Sequence, residues 1–365
     1  MSVLFLHKSE KKFRPEHARR INILIGLFML ATLSGCETLH YYGQAVSGQM
    51  EILTRRKSID RLLSAPETPQ TLKTRLRLVL DIREFAKKNL HLPVGNHYLS
   101  YIDLKRPYAV WNVFAAPEFS LEPKTWYYPV IGRTAYRGYF SIQTAVRYAE
   151  GLKKNHFDVY VAGIAAYSTL GWFDDPVLNT VIHRPDTGLT ALIFHELAHQ
   201  VLYVDNDTAF NESFATAVEQ EGLRRWMHAA HNQPAYQDYL VQRRKREQFI
   251  QLITRFRSRL ETLYSQALLP DDKRPLKRDI FNQLRLEYAQ LKKTWQGYTG
   301  YDYWFKAPLN NAKLISVSTY YDYLPAFKKI LEQSDGDLEQ FYGRCKKLAE
   351  LSKSERNRRL KNYSN

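Results

Sequence analysis

The sequence predicts an α+β chain that is predominantly helical, and three observations carry that expectation. From Leu189 almost to the C-terminus, apolar side chains recur every three to four residues, the spacing of helices with one buried face. Between Tyr98 and Tyr128 the composition turns aromatic and β-branched, with Pro107, Pro117 and Pro123 interrupting it, which suits short strands and loops. No Gly/Ser/Pro-rich linker divides the chain after residue 36, so these elements are expected to form a single domain over 36–365.

Composition sets the outer bounds. With 365 residues, 44% hydrophobic and 25% charged, the chain can bury a substantial core, which excludes a disordered tail and a disulfide-stapled mini-protein. The formal net charge of +16 suggests a polyanion or an anionic membrane as partner, but the excess is local. Four of those charges lie before residue 36 and eight between Gln242 and Lys293.

The leader comes first in the chain. Six basic residues from Lys8 to Arg20 precede the apolar run Ile21 to Leu33, which ends in Leu33-Ser34-Gly35-Cys36. That run is short of the about 20 residues a spanning helix needs. The segment resembles a bacterial lipoprotein signal peptide, and the resemblance implies removal of residues 1–35 and a lipid on Cys36. Glu37 follows in place of the aspartate that commonly retains such proteins at the inner membrane. By that resemblance the mature chain sits on the outer membrane, facing the periplasm, where nucleic acid is not an expected partner. The other cysteine, Cys345, then has no partner and is read as a packed small residue.

Helices are expected over 40–57 and 68–89, the second with Leu72, Leu76, Val79, Ile82 and Phe85 on one face. Helix signals return over 141–154, and 158–167 reads as a strand before the turn-rich segment 168–176. Farther on, Phe249, Leu252, Ile253, Phe256, Leu260 and Leu263 form one stripe and Phe281, Leu284, Tyr288, Leu291 and Trp295 another. The stretch from Leu269 to Pro275 breaks them apart, predicting a helical-hairpin insert at about 234–296. Its basic residues are expected on a solvated outer face, with anionic lipid contact by Arg243, Arg244, Lys245 and Arg246 as the functional possibility.

The chemistry gathers at His195-Glu196-Leu197-Ala198-His199. Four residues are about one helical turn, so both imidazoles leave the same face and can close on one metal ion. Glu196 points to a neighbouring side of that face, where it can reach a metal-activated water without ligating the metal. A catalytic zinc site needs three protein ligands and an open position. Glu212, in Asn211-Glu212-Ser213 at the start of a second helix capped by Asp207 or Thr208, supplies the third, and Glu219, seven residues on along the same face, is its rival.

With these residues in hand, the chain resembles the gluzincin metallopeptidases, although the interval from His199 to Glu212 is shorter than in thermolysin. More closely, the segments Tyr136 to Phe140, Tyr160 to Pro176, His195 to Ala215 and Asn310 to Phe327 are similar to the bacterial family of predicted zinc aminopeptidase lipoproteins. The resemblance implies a gluzincin-like zinc metallopeptidase domain with a small sheet, acting on peptides, with His195, His199 and Glu212 on Zn2+ and Glu196 as general base. It also implies a substrate paired as an added strand along 161–167, with Gly163 and Tyr167 as contacts. Tyr320 is then the expected oxyanion donor, with Tyr321, Tyr167 and His183 as competitors. An aminopeptidase also needs a carboxylate for the free amino group, and Glu118, Asp174, Asp175 and Glu219 are available. Two alternatives stay open: an envelope endopeptidase, and a zinc-stabilised lipoprotein that binds a partner without catalysis.

Overall fold

A computed structural model describes residues 41–128, 132–166, 173–317 and 323–364. The chain divides into two units, Met1–Glu51 and Ile52–Asn365, and the second carries everything discussed below. Residues 41–55 are helical (α1). Strand β1 (Lys57–Ser58) and helix α2 (Ile59–Ser64) follow. Helix α3 (Gln70–Leu90) begins after Pro69, whose fixed φ suits helix entry, and buries Leu76, Val79, Ile82, Ala86 and Leu90 at the expected spacing. Next come β2 (Ser100–Ile102), β3 (Val110–Pro117), β4 (Trp126–Tyr128), β5 (Gly132–Thr134) and β6 (Arg137–Tyr139). Helix α4 (Ile142–Lys154), capped by the Ser141 hydroxyl, leads into β7 (Phe157–Ile164), and β8 (Val177–Leu178) closes the strand-rich half.

Three small sheets are present among the described residues, where one was expected. β2 joins β1 and β8, β4 pairs with β5, and β3 lies between β6 and β7 in an antiparallel sheet with Trp111 opposite Gly163. Glycine at 163 has an internal reason: a Cβ there would stand 2.3 Å from the Tyr108 ring. The close approach expected of a substrate backbone is therefore taken by the protein's own tyrosine.

The second half is helical: α5 (Asn179–Ile182), α6 (Asp186–Val201), α7 (Thr208–Ala229), α8 (Gln233–Tyr264), α9 (Pro270–Thr294), α10 (Asp302–Lys306), α11 (Asn311–Ile315), α12 (Leu324–Glu332), α13 (Leu338–Ala349) and α14 (Lys353–Ser364). The main core packs α3, α6, α7, α12 and α13 together, with Phe194, Phe210, Phe214, Phe327 and Phe341 fully buried inside it. α7 can lie close on α6 because residue 222 is glycine; a Cβ there would sit 2.8 Å from the Phe194 ring. Cys345 is buried in this core with its thiol pushed up by burial.

α8 and α9 bury both expected stripes against each other and against α10 and α11. The break between them is shorter than the sequence suggested. Pro270 takes the first helical position, where its missing N–H costs nothing, and Pro275 is accommodated inside α9. The basic charges are also less outward-facing than expected. Arg274 pairs with Glu118 at 2.8 Å, Lys277 with Asp158 at 2.7 Å and Lys292 with Asp302 at 2.5 Å. Of the four expected lipid contacts, Arg243 pairs with Glu247 at 3.1 Å and the Lys245 ammonium sits 4.4 Å from the Tyr298 ring centre. Arg243 and Arg246 line a cavity that also contains Glu219 and Tyr239, so only Arg244 is directed as the sequence led one to expect. In all, the fold is a predominantly helical α+β arrangement with small sheets.

Candidate metal centre

Helix α6 is buried on nearly every side, through Leu189, Ala191, Ile193, Phe194, Leu197 and Ala198. Its entry is fixed from α3, where Arg75 donates to the Ile182 and Arg184 carbonyls at 2.8 and 2.7 Å and pairs with Asp186. His195 and His199 leave the same side of the helix one turn apart, with ring centres 4.9 Å apart and planes at 82°.

α7 brings the third group. Asp207 caps it by accepting from the Phe210 N–H at 3.4 Å, and its other carboxylate oxygen takes two bonds, at 2.9 and 2.7 Å, from the buried guanidinium of Arg356 on α14. The turn between α6 and α7 is held by Asn211, whose side-chain amide donates to the Val204 carbonyl and accepts from the Val204 N–H, both at 2.8 Å. With that turn fixed, Glu212 faces both histidines. Its carboxylate oxygens lie 3.2 Å from His195 Nε2 and 3.6 Å from His199 Nε2.

One donor atom from each of His195, His199 and Glu212 falls within 4.8 Å of the others, a group able to hold a metal ion. Two imidazole nitrogens and a carboxylate oxygen are a donor set that suits a first-row dication. For bonds of about 2.0–2.2 Å in tetrahedral array, neighbouring donors stand about 3.3–3.6 Å apart, close to the two contacts of Glu212. His199 supplies a second indication. It is buried, its Nδ1 has no hydrogen-bond partner, and its Nε2 is outside hydrogen-bond reach of Glu212. A buried imidazole left this way is costly unless something else engages it.

Glu219 is not placed as the third ligand. Its Oε2 lies 3.0 Å from His195 Nδ1, on the opposite edge of the ring from Glu212, and its Oε1 accepts from the Tyr239 hydroxyl at 2.9 Å. A carboxylate on Nδ1 keeps the proton there and turns the Nε2 lone pair toward the metal position. Tyr239 comes from α8, so the helical hairpin contributes to the setting of the site.

The electrostatics point the same way. Burial works against a charged His195, yet hydrogen bonds to Glu212 and Glu219, together with the charge of Glu196, push its pKa up to about 10. His199 goes the other way, down to about 4, through burial and then the positive charge of His195, with Glu212 opposing. Glu212 is held below the usual carboxylate range despite burial, by His195 and then His199 and Arg246. A cluster this negative holds a cation between Glu212 and Glu219; without a metal ion, that cation is the proton on His195.

Glu196 is half-buried beside this group, and its charge acts on His195, Arg184 and Tyr98. Burial, then Glu196 and Asp175, push Tyr98 well above its ordinary range. Among the carboxylates considered for a free amino group, Glu118 is bound to Arg274. Asp174 is approached by Asn96 Nδ2 at 3.4 Å, and Asp175 is buried with its N–H donating to His97 Nδ1 at 3.2 Å. His183 is exposed at the end of α5. Cys36, Tyr167, Tyr320 and Tyr321 lie outside the described residues.

Asn211, Tyr239 and Arg356 are the supporting residues that sequence reasoning passed over. Asn211 had a visible signal, its place directly before Glu212; the other two are remote in the chain from what they hold.

In comparison with known proteins, the model of a family described as "Putative aminopeptidase" matches residues 40–360. No curated protein matches the chain. No solved structure matches it either.

Proposed function

Because the chain belongs to the family described as putative aminopeptidase, we propose that it is a zinc-dependent aminopeptidase with a gluzincin-type catalytic centre. The observation that carries this is the convergence of His195, His199 and Glu212 with a fourth acidic side chain, Glu196, next to the ligand helix and outside the ligand set. Zinc held by those three residues would polarise a peptide carbonyl and a water molecule, its usual contribution in hydrolysis. The rest falls to the chain. Glu196 takes the proton of the attacking water and passes it to the departing amine. Glu219, itself fixed by Tyr239, keeps His195 in one tautomer and one orientation. The bonds of Asn211 to Val204 keep Glu212 at the distance both histidines need.

The test compares pentapeptides that differ only in a free or acetylated amino terminus, using the zinc-loaded chain. Hydrolysis of the free peptide at least about 100-fold faster, releasing the first residue, is the expected result; that ratio is about 2.7 kcal/mol of transition-state discrimination. Equal cleavage of both, at internal bonds, would replace this reading with the endopeptidase.

The proposal includes a place in the cell, supported by the basic-then-apolar leader and by Leu33-Ser34-Gly35-Cys36. The mature chain is held by lipid on Cys36 at the outer membrane, facing the periplasm. Cys36→Ala should move the protein from the membrane fraction to an unprocessed, unlipidated form; processing and membrane retention equal to the parent's would refute the anchor.

A further inference from the structure

The antiparallel sheet ends in an edge. β7 pairs with β3 on one side and with no strand on the other among the described residues. Along the open side runs a cavity of about 840 Å3, lined by residues 159–163 of β7, by the rings of Tyr108, Tyr160 and Tyr303, and by Lys153, Lys306 and Lys313. Its charge is one-sided: three lysines line it and no carboxylate does. Lys153 is matched by Glu150 at 2.7 Å, whereas Lys306 and Lys313 have no carboxylate partner among the described residues.

Lys313 is the unusual one. It is only 1% exposed, a rare condition for a lysine without an ion pair. Its ammonium makes one long bond, 3.3 Å, to the Ala307 carbonyl and otherwise lies over aromatic faces, 5.0 Å from the Trp304 ring centre and 5.3 Å from that of Tyr160. Ring faces attract a cation but accept none of its protons as a carboxylate does. Donor capacity is therefore left facing a roomy, water-poor cavity. Burial, then Arg285, lowers its pKa to about 8, so at neutral pH it is still mostly charged.

The strand edge supplies the other half. Asn310 Nδ2 donates to the Val159 carbonyl at 3.0 Å, which shows that residue 159 turns its main-chain groups outward. By the alternation of an antiparallel edge, Val161 and Gly163 turn theirs the same way. From 159 to 163 the strand spans about 13 Å at about 3.3 Å per residue, room for roughly five residues of an added strand.

We propose that this cavity is a strand-addition site for short peptides that carry a carboxylate, with the main chain paired to Val161 and Gly163 and the carboxylate seated on Lys313 and Lys306. Placing a C-terminal carboxylate there turns the peptide's amino end toward Ile164. Through Ala165 and Ala166, that end of β7 joins the core containing α6. The identification of the ligand as a peptide rests on the proposed peptidase function; the carboxylate preference rests on the lysines.

The test reads binding apart from turnover. Full-length chain carrying Glu196→Gln is titrated calorimetrically with pentaalanine as the free acid, as the C-terminal amide, and as an amide with one internal glutamate. The free acid should bind at least tenfold tighter than the plain amide, and Lys313→Met should erase that difference while leaving the amide's affinity unchanged. Tight binding of the glutamate amide assigns the carboxylate to a side chain, and weak binding assigns it to the C-terminus. Equal affinity for acid and plain amide, or an unaltered preference in Lys313→Met, would overturn the proposal. Should Lys313→Met not fold, acylation of Lys313 by limiting acetic anhydride in the parent chain decides the matter: the free acid should slow it at least fivefold and the plain amide should not. A chain that binds the acid but cleaves no peptide refutes the peptidase reading and leaves this site standing.

Discussion

Glu196→Gln lowers peptide hydrolysis by about three orders of magnitude, within the about 100- to 10,000-fold that a positioned general base contributes, while metal content and melting temperature stay at the parent's values. The substitution is nearly isosteric, so the half-buried position beside His195 is filled as before. What changes is the ability to accept a proton. Steady-state kinetics on a free-amino pentapeptide, with metal analysis of the same preparations, checks it. Activity within tenfold of the parent would show that another group takes the proton. Metal lost together with activity would mean that Glu196 serves the ligand set and not the water.

The second large effect separates two glutamates that share a helix face. Glu212→Gln should lower metal affinity on the order of 100- to 1,000-fold, one coordination position's share of the about 10–16 kcal/mol that a four-position zinc site contributes. Glu219→Gln should lower it less, about 10- to 100-fold, because a hydrogen-bonding partner of a ligand is lost and not a ligand. The distances underlie the difference: Glu212 approaches both histidines on the metal side, at 3.2 and 3.6 Å, while Glu219 meets only His195 Nδ1, at 3.0 Å. Chelator competition on both variants reads the two constants. A reversed order would exchange their roles. Tyr239→Phe then helps to resolve the second step, since it removes only the hydroxyl that holds Glu219.

Much of this site could be read along the chain. The four-residue interval of His195 and His199 fixes their common face, because the helix period places them there whatever α6 packs against. Asp207 as the cap of α7 and the two apolar stripes of α8 and α9 are equally local. Each depends on residues within a turn or two of one another.

What stayed hidden lies in contacts between distant segments. The charge of the hairpin looked like an outward basic face because Arg274 and Lys277 find Glu118 and Asp158 more than 110 positions away in sequence. Gly163 looked like room for a ligand because Tyr108 is not its neighbour until β3 pairs with β7. Lys313 gave no signal at all, since its burial comes from rings on β7 and α10.

The sequence by itself determined that two histidines and an adjacent glutamate share one helix and that two carboxylates, Glu212 and Glu219, follow on the next. Only the tertiary structure decided which carboxylate faces which edge of the His195 ring. The helix period sets the direction of a side chain about its own axis, but the crossing of α6 and α7, set by Gly222 against Phe194 and by the bonds of Asn211 to Val204, sets what that direction meets.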